Sequence, residues 1–416
     1  MNLPVFIASR YLLSKKSFNI INIISLISFI GVVTGTLALI VILSVFNGFE
    51  DLVSKLYNTF DADIKITSST SKYFDPASIP SEKLKSLKGL VSYSEVIEGN
   101  VLLRNGNEQY VATLKGVSEG FFHNNPMAES ILKGKLELSE PNSLITGLYI
   151  AYKLGIAYEN NMAPSIDVFA PNRKSKSNFQ DLTSSFIRQT AVPSGIFSIQ
   201  QDIDSKYVIS GIDFARTLFS REKEVSAIEL RFDGNTGIVQ VQKQIEKILP
   251  PGFQVKNHYQ QQEVLYKVMN MEKWFIFFIL VFILIIAIFN LVSSQTMLIL
   301  DKIRDVSFLH SLGMSVKDIR KIFIYEGMMI VIAGEITGLI LGVLLCYLQQ
   351  EYGLIRLGNG SGAFLVEYYP VKLEWLDVAG SLAVVTLTGW LASLVPAMRI
   401  KKHFLKEVLM ENIRSR

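Results

Sequence analysis

Hydrophobic residues are concentrated in four long blocks of the chain. Two blocks, Ser17–Phe49 and Trp274–Leu300, contain no charged residue, and the other two contain very few. A helix needs about 20 consecutive apolar residues to cross the hydrocarbon core of a bilayer. The pattern therefore predicts four transmembrane helices at residues 22–46, 274–300, 322–348 and 376–396. The first block is longer than the apolar part of a signal peptide, so we interpret it as a retained anchor.

The long segment between the first two blocks has a different pattern. Short stretches alternate apolar and polar residues as half-buried strands do, at residues 63–67, 101–103, 110–114, 166–169 and 228–232. Helical patterns occur at 81–87, 213–219 and 236–248, and the flanks 50–60 and 259–273 continue the membrane helices as stalks. The predicted fold class is an integral α-helical membrane protein with a large α+β domain, residues 47–273, inserted between helices 1 and 2.

Basic residues are distributed unevenly over the segments outside the predicted spans. Residues 1–21, 301–321 and 397–416 are rich in Lys and Arg, whereas the short loop 349–375 has only Arg356 and Lys372. Lys and Arg accumulate on the cytoplasmic side of membrane proteins. We therefore expect both termini and the segment 301–321 to be cytoplasmic. The loop 349–375 and the large domain should lie outside.

The composition fits this topology. The 416 residues are 49% hydrophobic and 19% charged, against about 25% charge in an ordinary soluble protein. A net charge of +4 is too small for a general nucleic-acid binder. The single cysteine, Cys346, excludes an internal disulfide, and the four histidines lack metal-ligand spacing. There is no P-loop, zinc-protease or serine-hydrolase motif. We expect a non-catalytic chain without a metal site.

Small residues and one carboxylate stand out within the predicted spans. Glycines at i, i+4 spacing allow another helix to approach closely, either within the chain or in a second subunit. They are Gly31 and Gly35 in the first span, and Gly334, Gly338 and Gly342 in the third. Glu335 lies near the middle of the third span. It is either a functional ionisable group or a packing partner for a Ser or Thr of a neighbouring helix.

The polar segment 170–194 carries several basic residues and isolated aromatic residues. Most segments of this kind are surface loops, and the composition alone favours that interpretation over a partner-binding loop by about two to one.

The segment after the second span contains a recognisable motif. Asp301-Lys302-x-x-Asp305-Val306-x-x-Leu309-x-x-Leu312-Gly313 resembles the coupling helix of the FtsX/MacB-type ABC transporter permeases. The motif Pro396-Ala397-x-Arg399, followed by Glu407-x-Leu409, is similar to the end of these proteins. Two positions depart from the family pattern, because His310 replaces an Arg and Leu405 replaces a Pro.

Motifs near the N-terminus narrow the resemblance. Residues 6–12, 24–31 and 43–49 are similar to the lipoprotein-releasing LolC/LolE branch of the family. The resemblance implies a subunit of the bacterial inner membrane, paired with a second permease subunit and a LolD-type ATPase dimer that binds ATP and Mg. The coupling residues would then be Asp301, Lys302, Asp305, Val306, Leu309, His310, Leu312 and Gly313.

The same resemblance implies a substrate and a receiving partner. Acylated lipoprotein would be taken from the outer leaflet through a cavity with membrane lipid nearby, lined by Val33, Leu37, Ile40, Phe46, Phe278, Phe282 and Phe289. A loop of the periplasmic domain hooks a LolA-type chaperone in LolC-like subunits. Because residues 170–190 fall at the matching place, the resemblance reverses our preference for a plain surface loop. The hook candidates are Pro171, Arg173, Lys174, Phe179, Phe186 and Arg188.

Two other functions fit the same family. One is a MacB-like permease that transmits mechanical force for efflux without carrying substrate through its spans. The other is an FtsX-like regulator of a cell-wall hydrolase, which the size of the insert disfavours. The residues do not decide between a homodimer and a heterodimer, or between a LolC-like and a LolE-like role.

Overall fold

The computed structural model describes residues 3–13, 20–123, 125–136, 138, 140–156, 164–172, 185–234, 236–356 and 368–400. They divide into two compact units. The first unit comprises the described residues up to Leu52 and from Lys267 onward, and the second comprises those within Val53–Tyr266.

The helices and strands follow one another along the chain in this order: α1 (Leu3–Leu13), α2 (Ile20–Phe60), β1 (Ile64–Ser68), α3 (Ser81–Lys85), β2 (Leu90–Asn105), β3 (Glu108–Val117), β4 (Ile131–Gly134), β5 (Ser143–Gly147), α4 (Leu148–Lys153), β6 (Ile166–Pro171), β7 (Phe186–Phe197), α5 (Gln201–Asp204), β8 (Tyr207–Gly211), α6 (Ile212–Leu218), β9 (Ala227–Phe232), α7 (Ile238–Ile248), β10 (Phe253–Asn257), α8 (His258–Gln261), α9 (Glu263–Asp301), α10 (Ile303–Ser311), α11 (Val316–Tyr352) and α12 (Trp375–Met398).

Four helices are long and apolar enough to cross a membrane, namely α2, α9, α11 and α12. The prediction of four apolar helices is thus confirmed. Local chemistry sets the ends of α11: the Ser315 side chain accepts a hydrogen bond from the Asp318 N–H at its start, and Gly353 ends it at φ 56°. A left-handed residue after the last turn is a common helix stop, and glycine adopts it without a Cβ penalty.

In the first unit, α2 packs between α9 and α11 through the predicted glycines. Gly31 and Gly35 face Ala287 and Leu284 of α9. On the other side, α11 presents Gly334, Gly338 and Gly342 to α2. A Cβ on Gly338 would lie 2.7 Å from the Val33 carbonyl oxygen, so the absent side chain is what permits this approach.

The second unit is built on a ten-stranded mixed sheet with the order β10-β1-β9-β2-β3-β8-β5-β7-β4. Strand β6 pairs antiparallel with both β2 and β7, so β2, β3, β8, β5, β7 and β6 form a closed ring. The pairs β3–β8 and β5–β7 are parallel, and the other pairs are antiparallel. The unit is therefore α+β, with helices packed on a largely antiparallel sheet.

Burial alternates along the strands predicted to be half-buried at 63–67, 101–103, 110–114 and 166–169, whereas the strand predicted at 228–232 is buried on both faces. One face carries the larger core, including Ile64, Ile66 and Ile228. The other face carries a second core with Phe60, the last residue of α2. Glu229 on β9, which alternation assigned to solvent, is therefore buried and only 4% exposed.

Candidate functional site

The predicted coupling segment folds as α10 between α9 and α11. Val306 is buried among Ile299, Ile319 and Ala397, which fixes the helix against the ends of its neighbours. The His310 imidazole Nδ1 lies 3.0 Å from the Met314 carbonyl oxygen, next to Gly313 at φ 96°. The sharp turn after α10 is thus closed by a residue at the position where the family has an Arg.

The outer face of α10 is exposed and partly apolar. Phe308 and Leu312 are 66% and 71% exposed, one helical turn apart. Asp301, Arg304 and Asp305 are also exposed, while the predicted coupling residues Lys302, Leu309 and His310 are half-buried. Large apolar side chains left outside beside charges are typical of a surface that another protein covers.

Arg320 anchors the start of the C-terminal segment, and sequence reasoning had missed it. Its guanidinium Nε and Nη2 donate hydrogen bonds of 3.0 and 2.7 Å to the Ile400 carbonyl oxygen. Ala397 of the closing motif is buried beside it. Glu407, Leu409 and Leu405 lie outside the described residues.

The predicted acyl-cavity residues fall on two different surfaces. On α2, Val33, Leu37 and Phe46 are half-buried, and Ile40 is 1% exposed because it packs against Gly342 of α11. Ile40 therefore packs inside the single chain, which does not fit its predicted place in a cavity lining. The assignment of Val33, Leu37 and Phe46 to an acyl cavity stays a prediction.

On α9, by contrast, the predicted residues are all exposed. They belong to a longer stripe in which spacings of three and four residues alternate; we call it the α9 stripe, and it consists of Val268, Met271, Phe275, Phe278, Phe282, Ile285 and Phe289. All seven side chains are exposed. Alternation of three and four places the side chains in one line along a helix, the spacing of a helix–helix seam.

Glu335 has a partner on the neighbouring helix α12. The Thr386 hydroxyl lies 2.8 Å from Glu335 Oε2 and 3.1 Å from Oε1. Of the two alternatives, a packing contact with Ser or Thr is therefore present in the structure. A functional role for ionisation of the Glu335 carboxyl stays a prediction.

The hook candidates lie on the connection between β6 and β7. Pro171 and Phe186 are paired residues at the end of this antiparallel pair, and the Asn172 N–H donates to the Ser185 carbonyl oxygen at 2.8 Å. Arg188 forms a 2.8 Å ion pair with Asp167 of β6. Burial acts to raise the Asp167 pKa, but hydrogen bonds from Arg104 and Arg188 outweigh it and lower that pKa. Arg173, Lys174 and Phe179 lie outside the described residues.

A polar junction joins α2, α9 and α12 near the loop that precedes α12. Lys273 Nζ lies 2.8 Å from Asp377 Oδ2 and donates a 2.7 Å hydrogen bond to Asn47 Oδ1. Asn47 in turn donates to Asp377 Oδ2 at 2.7 Å. Beside it, a Cβ on Gly48 would lie 2.5 Å from the Pro370 backbone. Asn47 and Gly48 lie within the stretch 43–49 that resembles the LolC/LolE branch, and they contact α12 and the residues that precede it.

An ion-pair cluster lies where α2 ends on the sheet of the second unit, and we call it the buried ion-pair cluster after its central pair, Lys115 and Glu229. Its outer members, Lys65 and Glu98, are 23% and 22% exposed. Lys115 Nζ is 2.9 Å from Glu229 Oε1, and Lys65 Nζ is 2.9 Å from Glu98 Oε1 and 3.6 Å from Glu229 Oε1. Burial acts to raise the Glu98 pKa, but the two lysines outweigh it and lower that pKa to about 2.

The cluster is connected to the last turn of α2. The Lys115 ammonium lies 4.5 Å from the centroid of the Phe60 ring. On β9, Arg231 donates hydrogen bonds of 3.2 Å to the Asn58 and Thr59 carbonyl oxygens at the helix end. Carbonyls at a helix C-terminus lack partners within the helix, so a cation there satisfies them.

Within the described ranges, no group of His, Cys, Asp or Glu could hold a metal ion. The arrangement is that of a multi-pass membrane protein with an exposed short helix and a large α+β unit. Transporter permeases are one class of protein with this arrangement.

Comparison with known proteins supports this class. Residues 277–404 match the family described as FtsX-like permease C-terminal. The chain is 25% identical to the lipoprotein-releasing system transmembrane protein LolC of Neisseria meningitidis serogroup B, covering 96% of this chain and 97% of that protein. It is 23% identical to LolE of Haemophilus influenzae, covering 97% and 98%. The predicted resemblance to FtsX/MacB-type permeases, and to LolC/LolE among them, is confirmed.

One solved structure is also similar in part. The periplasmic region of MacB from Actinobacillus actinomycetemcomitans covers 49% of this chain and 92% of that structure, at 12% identity and a TM-score of 0.36. A TM-score of this size does not establish a common fold.

Proposed function

We propose that this protein is the permease subunit of an ATP-driven transporter of the bacterial inner membrane. It would extract acylated lipoproteins from the outer leaflet and pass them to a periplasmic chaperone. The observation that carries the proposal is the exposed α9 stripe, in a chain that resembles lipoprotein-releasing proteins over nearly its whole length.

The N-terminal end of the α9 stripe is better covered by a neighbouring protein than by lipid. Val268 and Met271 are exposed beside the charged Lys267, Glu272 and Lys273, which mark this turn as lying outside the hydrocarbon core. Apolar side chains in a seam there face water unless a helix covers them. We therefore assign this end of the stripe to a second permease subunit, either the same chain or a sister chain.

The remainder of the stripe lies within the apolar part of α9 and is aromatic. Phe275, Phe278, Phe282 and Phe289 offer a continuous apolar surface toward the same neighbour. Each CH₂ group of an acyl chain removed from water is worth about 0.8 kcal/mol, so a long chain in water costs several kcal/mol. A cavity between two such stripes would provide apolar cover for the acyl chains.

Site-specific photocrosslinking tests this assignment. A photoreactive residue at Phe282 should capture acylated lipoprotein in the assembled, ATP-hydrolysing complex and should fail with lipoprotein that lacks its acyl chains. The matched control is Ile340 of α11, which is 60% exposed on a helix that does not carry the stripe. Phe282 should capture substrate and Ile340 should not.

Equal capture at both positions, or none at Phe282 in an active complex, would contradict the proposal. ATP-dependent activity without lipoprotein contact would instead support a MacB-like force-transmitting permease. Activation of a cell-wall hydrolase by the large domain would support an FtsX-like regulator.

We assign ATPase coupling to α10. A separate LolD-type ATPase dimer, which binds the ATP and Mg, would cover Phe308 and Leu312, while buried Val306 holds the helix rigidly enough to transmit movement. We propose, from the Lys and Arg distribution, that both termini and α10 lie in the cytoplasm and that the α+β domain lies in the periplasm.

We assign chaperone capture to the connection between β6 and β7. A backbone hydrogen bond of 2.8 Å joins Asn172 and Ser185, the described residues on either side of 173–184. Replacement of residues 173–184 by a short Gly-containing turn should therefore leave the strands paired. The expected result is loss of LolA-type chaperone binding with normal assembly of the complex. Unchanged chaperone binding would argue for a LolE-like role.

A further inference from the structure

A cavity of about 300 Å³ lies between α2 and α11, near the end of α11, and the proposed function assigns it no role. Val41 and Val45 of α2 form one wall, and Leu345 and Cys346 of α11 form another. The segments that flank the α11–α12 connection close it with Ile355 and Tyr369. The volume is at the lower end of the range for ligand pockets, about 300–1,000 Å³.

The cavity offers almost no free polar group to a ligand. Gln349 is the one amide in the lining, and its Nε2 donates to the carbonyl oxygens of Ile355 and Tyr369 at 3.0 and 3.1 Å. Its Oε1 accepts the Ile355 N–H at 2.8 Å. Because this amide is fully engaged with the backbone, the occupant that the lining selects is a hydrocarbon chain.

The position of the cavity in the bilayer identifies the source of that chain. Val41 and Val45 lie within the predicted first span, and Leu345 and Cys346 lie within the third. Tyr352, Tyr368 and Trp375 are exposed in the described residues at and beside the ends of α11 and α12, and Tyr and Trp are enriched at the membrane–water interface. The cavity therefore lies just inside the hydrocarbon core, at the depth where phospholipid acyl chains begin.

We propose that this cavity is a binding site for one acyl chain of a membrane phospholipid, which enters from the leaflet next to the α11–α12 loop. None of its lining residues belongs to α9, so the site is separate from the α9 stripe assigned to lipoprotein. The bound chain packs between α2, α11 and the residues near Ile355 and Tyr369 that Gln349 holds. The proposal does not depend on the transported substrate.

Native mass spectrometry of the purified complex tests the proposal. After delipidation, the wild type should retain a phospholipid mass on this subunit. Val45→Trp and Leu345→Trp fill the cavity and should lose that mass, whereas Ile340→Trp, which changes a membrane-exposed side chain of α11 outside the lining, should keep it. Equal retention in all variants, no retention in the wild type, or an acylated lipoprotein in place of phospholipid would each overturn the proposal.

A second measurement needs no bulky variant. Cys346 is the only cysteine of the chain, lines the cavity and is 2% exposed, so slow N-ethylmaleimide modification of the wild-type subunit reports on opening of this site. In a sterol-based detergent, whose rigid rings do not substitute for a flexible chain, added phosphatidylglycerol should slow the modification several-fold in a saturable way. Cys346→Ser gives the background. An unchanged rate on addition of phospholipid would refute the site.

Discussion

Lys115→Met removes the central cation of the buried ion-pair cluster while keeping most of the side-chain volume. Lys115 is 1% exposed and its partner Glu229 is 4% exposed, at a separation of 2.9 Å. The substitution leaves the Glu229 carboxylate in the interior with Lys65 as its remaining cation. That lysine is 3.6 Å away and is already bonded to Glu98.

Breaking a buried pair by removing one partner costs about 3–5 kcal/mol. Lys65 still attracts the Glu229 carboxylate, which favours the lower end of this range. We therefore expect the free energy of unfolding to fall by about 3 kcal/mol. Domains have a total stability of about 5–15 kcal/mol, so this is a large fraction. Because the penalty comes from the uncompensated carboxylate, the second substitution Glu229→Gln in the same protein should restore most of it. The Lys65–Glu98 pair remains in both variants.

Hydrogen exchange of the full-length protein in lipid nanodiscs measures this effect locally. Amides of β3 and β9 should exchange on the order of a hundredfold faster in Lys115→Met, since about 1.4 kcal/mol corresponds to a factor of ten. The last turn of α2 should follow, because the Lys115 ammonium also contacts the Phe60 ring. The control is Lys85→Met, which breaks the exposed Lys85–Glu82 pair and should change little. Similar exchange in the two single variants would refute the reasoning.

Three further predictions concern other parts of the molecule. Phe308→Ser should weaken binding of the ATPase at least several-fold in a pull-down. The melting temperature should change little, because the Phe308 side chain is exposed. A large loss of stability would show that Phe308 has a structural role instead. Glu335→Gln should keep transport, because the Thr386 hydroxyl can donate to an amide oxygen. Thr386→Val should lower the free energy of unfolding by about 1–3 kcal/mol, because it leaves the Glu335 side chain without this partner. Loss of transport in Glu335→Gln would establish an ionisation role. Stability of the second unit should fall as pH drops from about 4.5 towards 2, because the folded-state pKa of Glu98 lies below its ordinary value and protonation then favours unfolding. The contribution at neutral pH is about 2 kcal/mol, reduced for partial solvent exposure, and Glu98→Gln should flatten this part of the acid profile.

Local patterns predicted many of the elements correctly. The strands expected at 63–67 and 228–232 correspond to β1 and β9, and the helix expected at 236–248 corresponds to α7. Strands β4, β5, β7, β8 and β10 were missed. Short strands such as β5, whose residues are all buried, carry no alternation that a single sequence reveals.

The candidate sites were predictable to different degrees. The exposed Phe residues of α9 and the turn at Gly313 follow from helical spacing and from the preference of glycine for positive φ. Local sequence does not predict the burial of Ile40 or the contacts of Asn47 and Arg320. Each depends on which distant helix or loop lies opposite, namely α11 for Ile40, α9 and α12 for Asn47, and the end of α12 for Arg320.

The sequence by itself determined the number of apolar helices, because a bilayer requires about 20 contiguous apolar residues and that requirement is met or failed locally. It also carried the resemblance to a family of permeases, through short motifs in contiguous stretches. Only the tertiary structure decided that Lys115 and Glu229 form a buried pair, that Glu335 meets Thr386, and that α2, α11 and a loop enclose a cavity beside Cys346. These features join residues far apart in the chain, so they depend on strand register and helix packing rather than on local pattern.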